Sequence, residues 1–493
     1  MLPIWLASTY KYHKRAFLSG WFFGFGFFGA GISWVHVSIA TFGGVPLFVS
    51  IFLMLLLCGY LALYIGAFSY LLKRFFSLRL WPLAAPFLWL LIEYARAHVL
   101  TGFPWLSIGY TQSTSIFSAY YPIIGEIGLS GLMILLSSAI AVLLVNVLTR
   151  FDNINTEDEL HQNLHVNVIK QSLAVLIVTT VSFTSAFIFY RFPWVETLKS
   201  PYSVALVQGN IEQSIRWRPE QDRPTMEKYL RLSNDAWGTD IIIWPEAAVP
   251  KLEILATAYL ELLDEQATNF NSALITGVVD VSLDNDEAYN TLLALGLDSQ
   301  TDNLTPYIYR HKNRFKKHHL LPIGEFVPFE NILRPLAPIF NLPMSSFNRG
   351  DYVQNNLKAK GLSFAPAICF EIAFPLQMAA NIRENTDAIV TVSNDAWFGD
   401  SHGPHQHLEI ARVRAMEFGK PVLRATNTGL TAAYDHQGNL LGVLPQFEDA
   451  VLSVDVERID GKTPYTQYGN LPTYLLALLS FLFAIYFRNK SQK

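Results

Sequence analysis

Six apolar stretches, near residues 17–40, 46–71, 79–98, 121–148, 171–190 and 471–487, are each long enough to cross the hydrocarbon core of a bilayer. A crossing helix takes about 20 residues, roughly 17 at the least. No other feature limits the fold so tightly, because a backbone in lipid must satisfy its own hydrogen bonds and these stretches must therefore be helical. Composition agrees: 51% of the 493 residues are hydrophobic and 15% are charged, too apolar for an ordinary soluble chain of this length. The formal charge of −4 and the lack of a long basic run give nucleic acid nothing to bind.

Basic residues set the expected topology. Lys11, His13, Lys14 and Arg15 precede the first stretch, Lys73, Arg74 and Arg79 follow the second, and Arg488, Lys490 and Lys493 follow the last. All three clusters read as cytoplasmic. Five crossings then leave residues 191–470 on the extracytoplasmic side, and a sixth returns the tail. The connector at 149–171 is the weak point, since Asp152, Glu157, Asp158 and Glu159 outweigh Arg150 and Lys170 on a side predicted to be cytoplasmic. The first stretch is too long, and too well followed by further helices, for a cleaved signal peptide, so it is expected to remain in the membrane. The expected domains are a membrane part at 1–190, a polar domain at 191–470 and a last helix with its tail at 471–493.

The polar domain reads as α/β. SVALVQGN, TDIIIWPE, SALITGVV, GLSFAPAICFE and DAIVTVSNDAWFGD are strand candidates, and PTMEKYLRLSNDA and HQHLEIARVRAMEFG are helix candidates. PVLRATN, LTAAYDHQG and DAVLSVDVE add further strands. Several β-branched runs end in reactive groups, which places Glu246, Cys369, Asn394 and Asp395 along one edge of a sheet. Lys317 lies near a Pro-Ile-Gly turn in RFKKHHLLPIGEFVPFE. Cys58 sits inside an apolar helix, so Cys369 is expected as a free thiol. A carboxylate, an ammonium and a thiol together supply a base, an electrophilic stabiliser and a nucleophile. A backbone N–H beside the thiol, such as that of Phe370, would share the developing negative charge with Lys317.

Glu246 in IIIWPEAAVP, Lys317 in RFKKHHLLPIGEFVP and Cys369 in AICFE resemble, in order and strand-end setting, the carbon-nitrogen hydrolase or nitrilase-like superfamily. With SWVHVSIATFGG, LTGFPWLSIGY, VQGNIEQSIRW, PLAPIFNLPMSSFNRG and SNDAWFGDSHGPHQH, the whole chain resembles the apolipoprotein N-acyltransferase family. The resemblance implies an α-helical transmembrane bundle carrying an extracytoplasmic α-β-β-α sandwich, in the bacterial inner membrane with the domain on the periplasmic side. It implies a Glu246, Lys317 and Cys369 triad. Glu325 would hold Lys317, and Trp217, Phe370, Glu371, Asn394 and Trp397 would lie near the site. It further implies acyl transfer from a phospholipid, by expectation phosphatidylethanolamine, through a Cys369 thioester. The acceptor would be the free α-amino group of a diacylglyceryl-cysteine on apolipoproteins. No cofactor is implied. Members usually carry eight membrane helices, so this chain is expected to lack the first two.

Other readings stay open at this stage. A membrane-anchored amidase would use the same trio with water as acceptor. A transporter with an outer binding domain would show internal repeats, which this sequence does not. His402, His405 and His407 lack the acidic or cysteine partners of a metal site, and no metal is expected. Glu93 and Arg96 are spaced to pair with each other. The apolar stretch at 331–347, with Pro335, Pro338 and Pro343, fits either a dip into the lipid interface or a loop packed on its own core.

Overall fold

The structure is a computed structural model that describes residues 1–11, 15–152, 159–282, 287–296, 306–322, 324–326 and 347–490. Of the stretch at 331–347, only Phe347 falls among them, and residues 153–158 of the acidic connector at 149–171 lie outside them. The chain forms two compact units. One comprises Met1–Ser33, Ile51–Phe192 and Tyr468–Lys493, the other Trp34–Ser50 with Pro193–Gln467.

The first unit is helical. Among the described residues, Leu47–Phe75, Leu78–Thr101, Ile116–Thr149, Ile169–Tyr190 and Leu471–Lys490 are long and apolar enough to cross a membrane. This makes the chain a multi-pass membrane protein. The stretch expected at 17–40 is not one continuous helix. It runs from Ala16 to Gly31, breaks, and resumes as Val35–Val37 and a π-turn at Ser38–Phe42. Glycines at 29 and 31 weaken the helix just before the break. In the helix Trp81–His98, buried Glu93 pairs with Arg96, whose guanidinium also donates to the Trp105 carbonyl at 2.6 Å. The pair answers the cost of ionised groups in such a segment. Glu126 is buried, one residue after a break at Gly125 with φ of 63°.

The second unit holds two six-stranded sheets. The strands are β1 (Glu196–Gln208), β2 (Ile241–Ile243), β3 (Ala273–Ser282), β4 (Glu287–Gly296), β5 (Arg314–Lys316), β6 (Leu357–Ala359), β7 (Leu362–Ile368), β8 (Ala388–Ser393), β9 (Val422–Thr426), β10 (Ala432–Tyr434), β11 (Leu440–Val443) and β12 (Ala450–Asp460). Their orders are β12-β1-β2-β3-β4-β5 and β11-β10-β9-β8-β7-β6. Side chains alternate along each strand. Val204, Leu206, Ile241 and Ile243 from the first sheet therefore meet Phe364, Val390, Val392 and Leu423 from the second in one buried core. Ala205, Val207, Ile242 and Leu274 point the other way, against Tyr229 on the helix Pro219–Leu232 and Leu260 and Leu263 on the helix Glu253–Asn269. The helices Pro375–Asn381 and Gly403–Phe418 pack on the second sheet. The result is an α-β-β-α sandwich. Strands covered on both faces read as unbroken apolar runs, which is why β2, β3, β7 and β8 stood out in the sequence.

Candidate active site

β2 is parallel to its neighbours β1 and β3, and β7, β8 and β9 are mutually parallel. β5, two antiparallel steps from β3, runs in the same direction as β2. Side chains just beyond the carboxyl ends of β2, β5, β7 and β8 are Glu246, Lys317, Cys369 and Asn394. Hydrogen bonds and charge contacts link all four at one end of the sandwich, where parallel sheets leave a crevice.

Lys317 is at the centre. Its side chain is 1% exposed, and Nζ lies 2.8 Å from both carboxylate oxygens of Glu325 and 3.7 Å from Glu246 Oε1. Burial works against the ammonium. The negative charges of Glu325 and Glu246, and the neighbouring Cys369, more than offset it and raise the pKa above its ordinary value, so Lys317 is cationic. Adjacent Lys316 points elsewhere, to Asp280 at 3.3 Å and over the Tyr289 ring. Lys316 ends β5, and Lys317, one residue on, faces the opposite way.

Glu246 is held on all sides. Oε1 accepts from Asn290 Nδ2 at 2.8 Å, and Oε2 from the Asn394 backbone N–H at 3.0 Å. Asn290 Nδ2 also reaches Glu325 Oε1 at 3.2 Å, so one amide on β4 bridges both carboxylates. Behind the turn, the buried guanidinium of Arg216 donates to the carbonyls of Glu246 and Ala247. Ala247 has φ of 45°, and a Cβ added at Gly277 on β3 would fall 2.3 Å from its nitrogen. The glycine is what lets the Glu246 turn lie this close.

Cys369 follows β7 with φ of 54°, a left-handed conformation that costs a non-glycine residue about 1–2 kcal/mol. The residue as a whole is half-buried. Burial first, then the charge of Glu246, push its pKa up to about 12 against the pull of Lys317. At neutral pH it is a thiol that needs a base. Glu371, two residues on, is fully buried and points away from the crevice: its carboxylate accepts from the backbone N–H groups of Ile368 at 2.9 Å, His318 at 2.8 Å and His319 at 3.1 Å, and from Gln377. It ties the thiol's turn to the segment after Lys317. Burial raises its pKa against those hydrogen bonds.

The remaining expected residues scatter around this centre. Phe370 is buried, edge-on to Phe374. Trp217 is 37% exposed, beside Arg216. Asn394 also bonds Gln213 and Asn427 through its side chain. Trp397 receives a hydrogen bond on its carbonyl from Ser38 Oγ at 2.6 Å and meets the Phe42 ring edge-on. Trp34 Nε1 donates to Gln406 at 3.1 Å and its ring meets Phe398. The segment after Gly31, read from sequence as the end of a membrane helix, therefore belongs to the polar domain and holds the turn that follows Asn394.

Sequence reasoning missed Arg216, Asn290 and the role of His407. Arg216 and Asn290 carry no local signal, because their partners lie 30 and 44 residues away in the chain. His407 was weighed only as a metal ligand. Its Nε2 lies 3.1 Å from the Cys369 carbonyl oxygen, and its Nδ1 3.0 Å from Asp395 and 3.1 Å from Arg424. Among the described residues, no three His, Cys, Asp or Glu side chains are grouped to hold a metal ion.

Comparison with known proteins extends over both units. A family model described as carbon-nitrogen hydrolase matches residues 203–461, and one described as apolipoprotein N-acyltransferase N-terminal domain matches residues 1–139. The apolipoprotein N-acyltransferase of Photobacterium profundum is 44% identical over 482 residues, covering 97% of this chain and 88% of that protein. That of Vibrio vulnificus is 45% identical over 475 residues, covering 96% and 88%. Among solved structures, the Saccharomyces cerevisiae Nit3 protein of the nitrilase superfamily aligns with 54% of this chain and 92% of its own, at 16% identity and a TM-score of 0.38. The chain belongs to the apolipoprotein N-acyltransferase family.

Proposed function

We propose that this protein moves an acyl chain from a phospholipid onto the free α-amino group of a diacylglyceryl-cysteine at the N-terminus of apolipoproteins, with Cys369 as the acyl carrier. The observation that carries the mechanism is the buried Lys317 ammonium, flanked by Glu246 and Glu325 beside the Cys369 thiol. Glu246 takes the thiol proton as sulfur attacks the ester carbonyl. The oxyanion forms against Lys317 and the Phe370 backbone N–H, in a site where fixed donors need no reorganisation. Collapse breaks the C–O bond, Glu246 returns its proton to the departing oxygen, and a lysophospholipid leaves. The acceptor amine then attacks the thioester carbonyl, Glu246 takes the amine proton, and the C–S bond breaks. The sulfur regains a proton from Glu246, and the enzyme is restored with an amide product.

Glu325 keeps Lys317 fixed as a cation, which leaves Glu246 available for proton transfer. Phosphatidylethanolamine is the proposed donor, and Trp217 and Trp397 are the proposed substrate contacts at the rim. The enzyme is placed in the inner membrane with residues 193–467 on the periplasmic side, on the strength of the basic clusters at Lys73, Arg74 and Arg488. In a chain without its native cysteines, Asp400→Cys would then react with a membrane-impermeant maleimide in intact spheroplasts and Lys490→Cys would not; the reverse pattern excludes this orientation. The amidase reading is not favoured, since the family shared with the relatives extends over the membrane unit.

The reaction itself is tested by incubating the purified enzyme with radiolabelled phosphatidylethanolamine and a diacylglyceryl-cysteine peptide. Label should appear in the peptide as an amide stable to hydroxylamine, with parallel-line kinetics for the two substrates. Release of free fatty acid at the same rate with and without peptide, and none in the peptide, would contradict transfer.

A further inference from the structure

The imidazole of His407 contacts the backbone of the nucleophile. The helix Gly403–Phe418 delivers it to the Cys369 carbonyl, with Nε2 3.1 Å from that oxygen. A carbonyl only accepts hydrogen bonds, so Nε2 must carry the proton. The far side of the ring is fixed as well: Nδ1 lies 3.0 Å from Asp395 Oδ1 and 3.1 Å from Arg424 Nη2, and Arg424 Nη2 reaches Asp395 Oδ2 at 2.5 Å. Asp395 takes a further bond from Ser393 at 2.6 Å. His407, Asp395 and Arg424 are all fully or nearly fully buried. The proton-transfer chemistry above uses none of them.

The consequence follows from peptide geometry. The peptide unit joining Cys369 to Phe370 is a rigid plane, and in the trans form its C=O and N–H point to opposite sides. Fixing the oxygen fixes the direction of the Phe370 N–H. Cys369 is held in the left-handed region, where a free peptide would relax by rotating this same plane. Asp395 adjoins Asn394, whose backbone N–H donates to Glu246. One turn after β8 therefore steadies the proposed base directly and the proposed oxyanion donor through His407.

We infer that His407 is a positioning residue for acyl transfer: by donating to the Cys369 carbonyl, it aims the Phe370 N–H at the oxyanion and holds the thiol's strained turn. The inference rests on the acyltransferase reading above. It separates two reactions of one sulfur. Attack on an ester passes through an oxyanion, whereas alkylation by iodoacetamide does not.

The test compares wild type, His407→Gln and His407→Asn in detergent. Acylation of Cys369 by phosphatidylethanolamine is followed by intact mass, and its alkylation by iodoacetamide by peptide mass. Glutamine can place an N–H near the Nε2 position; asparagine reaches only as far as Nδ1. Loss of one oxyanion donor costs about 10²- to 10³-fold, and misaiming one is expected to cost about 10- to 100-fold. His407→Asn should lose that much acylation with alkylation within about threefold of wild type, and His407→Gln should recover at least about tenfold over His407→Asn. Unchanged acylation in His407→Asn, or alkylation falling in step with acylation, overturns the inference. Should His407→Asn fail to fold, Asp395→Asn releases the same ring from behind and must show the same split. Failure of wild type to acylate at all would instead overturn the acyltransferase reading, and the inference with it.

Discussion

Glu325 faces the Lys317 ammonium with both of its carboxylate oxygens, each 2.8 Å from Nζ. Glu246 approaches the same nitrogen only to 3.7 Å. The division assigns the tight ion pair to the residue that keeps Lys317 in place. Glu325→Gln preserves shape but removes the charge that most strongly favours the ammonium, and Lys317 should then move onto Glu246. Acyl-enzyme formation is expected to fall about 10²-fold, the scale of one lost oxyanion donor. Single-turnover acylation measures it, and a fall of less than about threefold would mean that Glu325 is dispensable for Lys317.

Burial and the charge of Glu246 both hold Cys369 as a thiol, with a pKa of about 12. A free thiol approaches its limiting alkylation rate above about pH 8.5. In the wild type the iodoacetamide rate at Cys369 should still be climbing at pH 10. Glu246→Gln removes a negative charge, so the pKa should fall and alkylation at pH 8 should be at least as fast as in wild type, while acyl transfer drops by about 10²-fold or more. A wild-type plateau near pH 8.5 would contradict this electrostatic picture.

Gly277 makes room for the turn that bears Glu246. A methyl there would meet the Ala247 nitrogen at 2.3 Å, closer than atoms pack, and the backbone on one side must shift. Gly277→Ala should destabilise the protein by about 1–3 kcal/mol, as overpacking does, and lower kcat because Glu246 moves. Thermal unfolding and steady-state kinetics together check it; wild-type values in both would show that the turn yields without cost.

Ser38 donates to the Trp397 carbonyl in the turn that also presents Asn394 to Glu246. A hydrogen bond of this kind contributes about 0.5–1.5 kcal/mol. Ser38→Ala should therefore reduce kcat by about two- to tenfold, and Ser38→Thr should restore part of it. An effect on KM alone would assign Ser38 to substrate contact instead.

The sandwich was legible because its strands are covered on both faces and read as continuous runs such as Ile241–Ile243 and Leu362–Ile368. The reactive ends of those runs were legible for the same reason: Glu246, Cys369 and Asn394 each follow a β-branched or apolar stretch. β5 is only three residues long, so Lys317 was found through resemblance and turn spacing. Asn290 sits within β4, which alternates too weakly to stand out, and nothing local marks its two carboxylate partners. The break after Gly31 was hidden by hydrophobicity. Trp34 and Phe42 are as apolar as membrane residues, while the partners that hold the turned segment, Gln406, Trp397 and Phe398, lie more than 350 residues away. Glu371 follows the nucleophile by two residues, and nothing local marks its partners, Gln377 and the His318 backbone, which draw it inward.

Intact-protein mass spectrometry after incubation with phosphatidylethanolamine, without any acceptor, tests the central claim most directly. Wild type should gain the mass of one acyl chain, removable by hydroxylamine or by a diacylglyceryl-cysteine peptide, and Cys369→Ala should gain nothing. The same adduct on Cys369→Ala, or none on a wild type that nonetheless acylates the peptide, would contradict a thioester at Cys369.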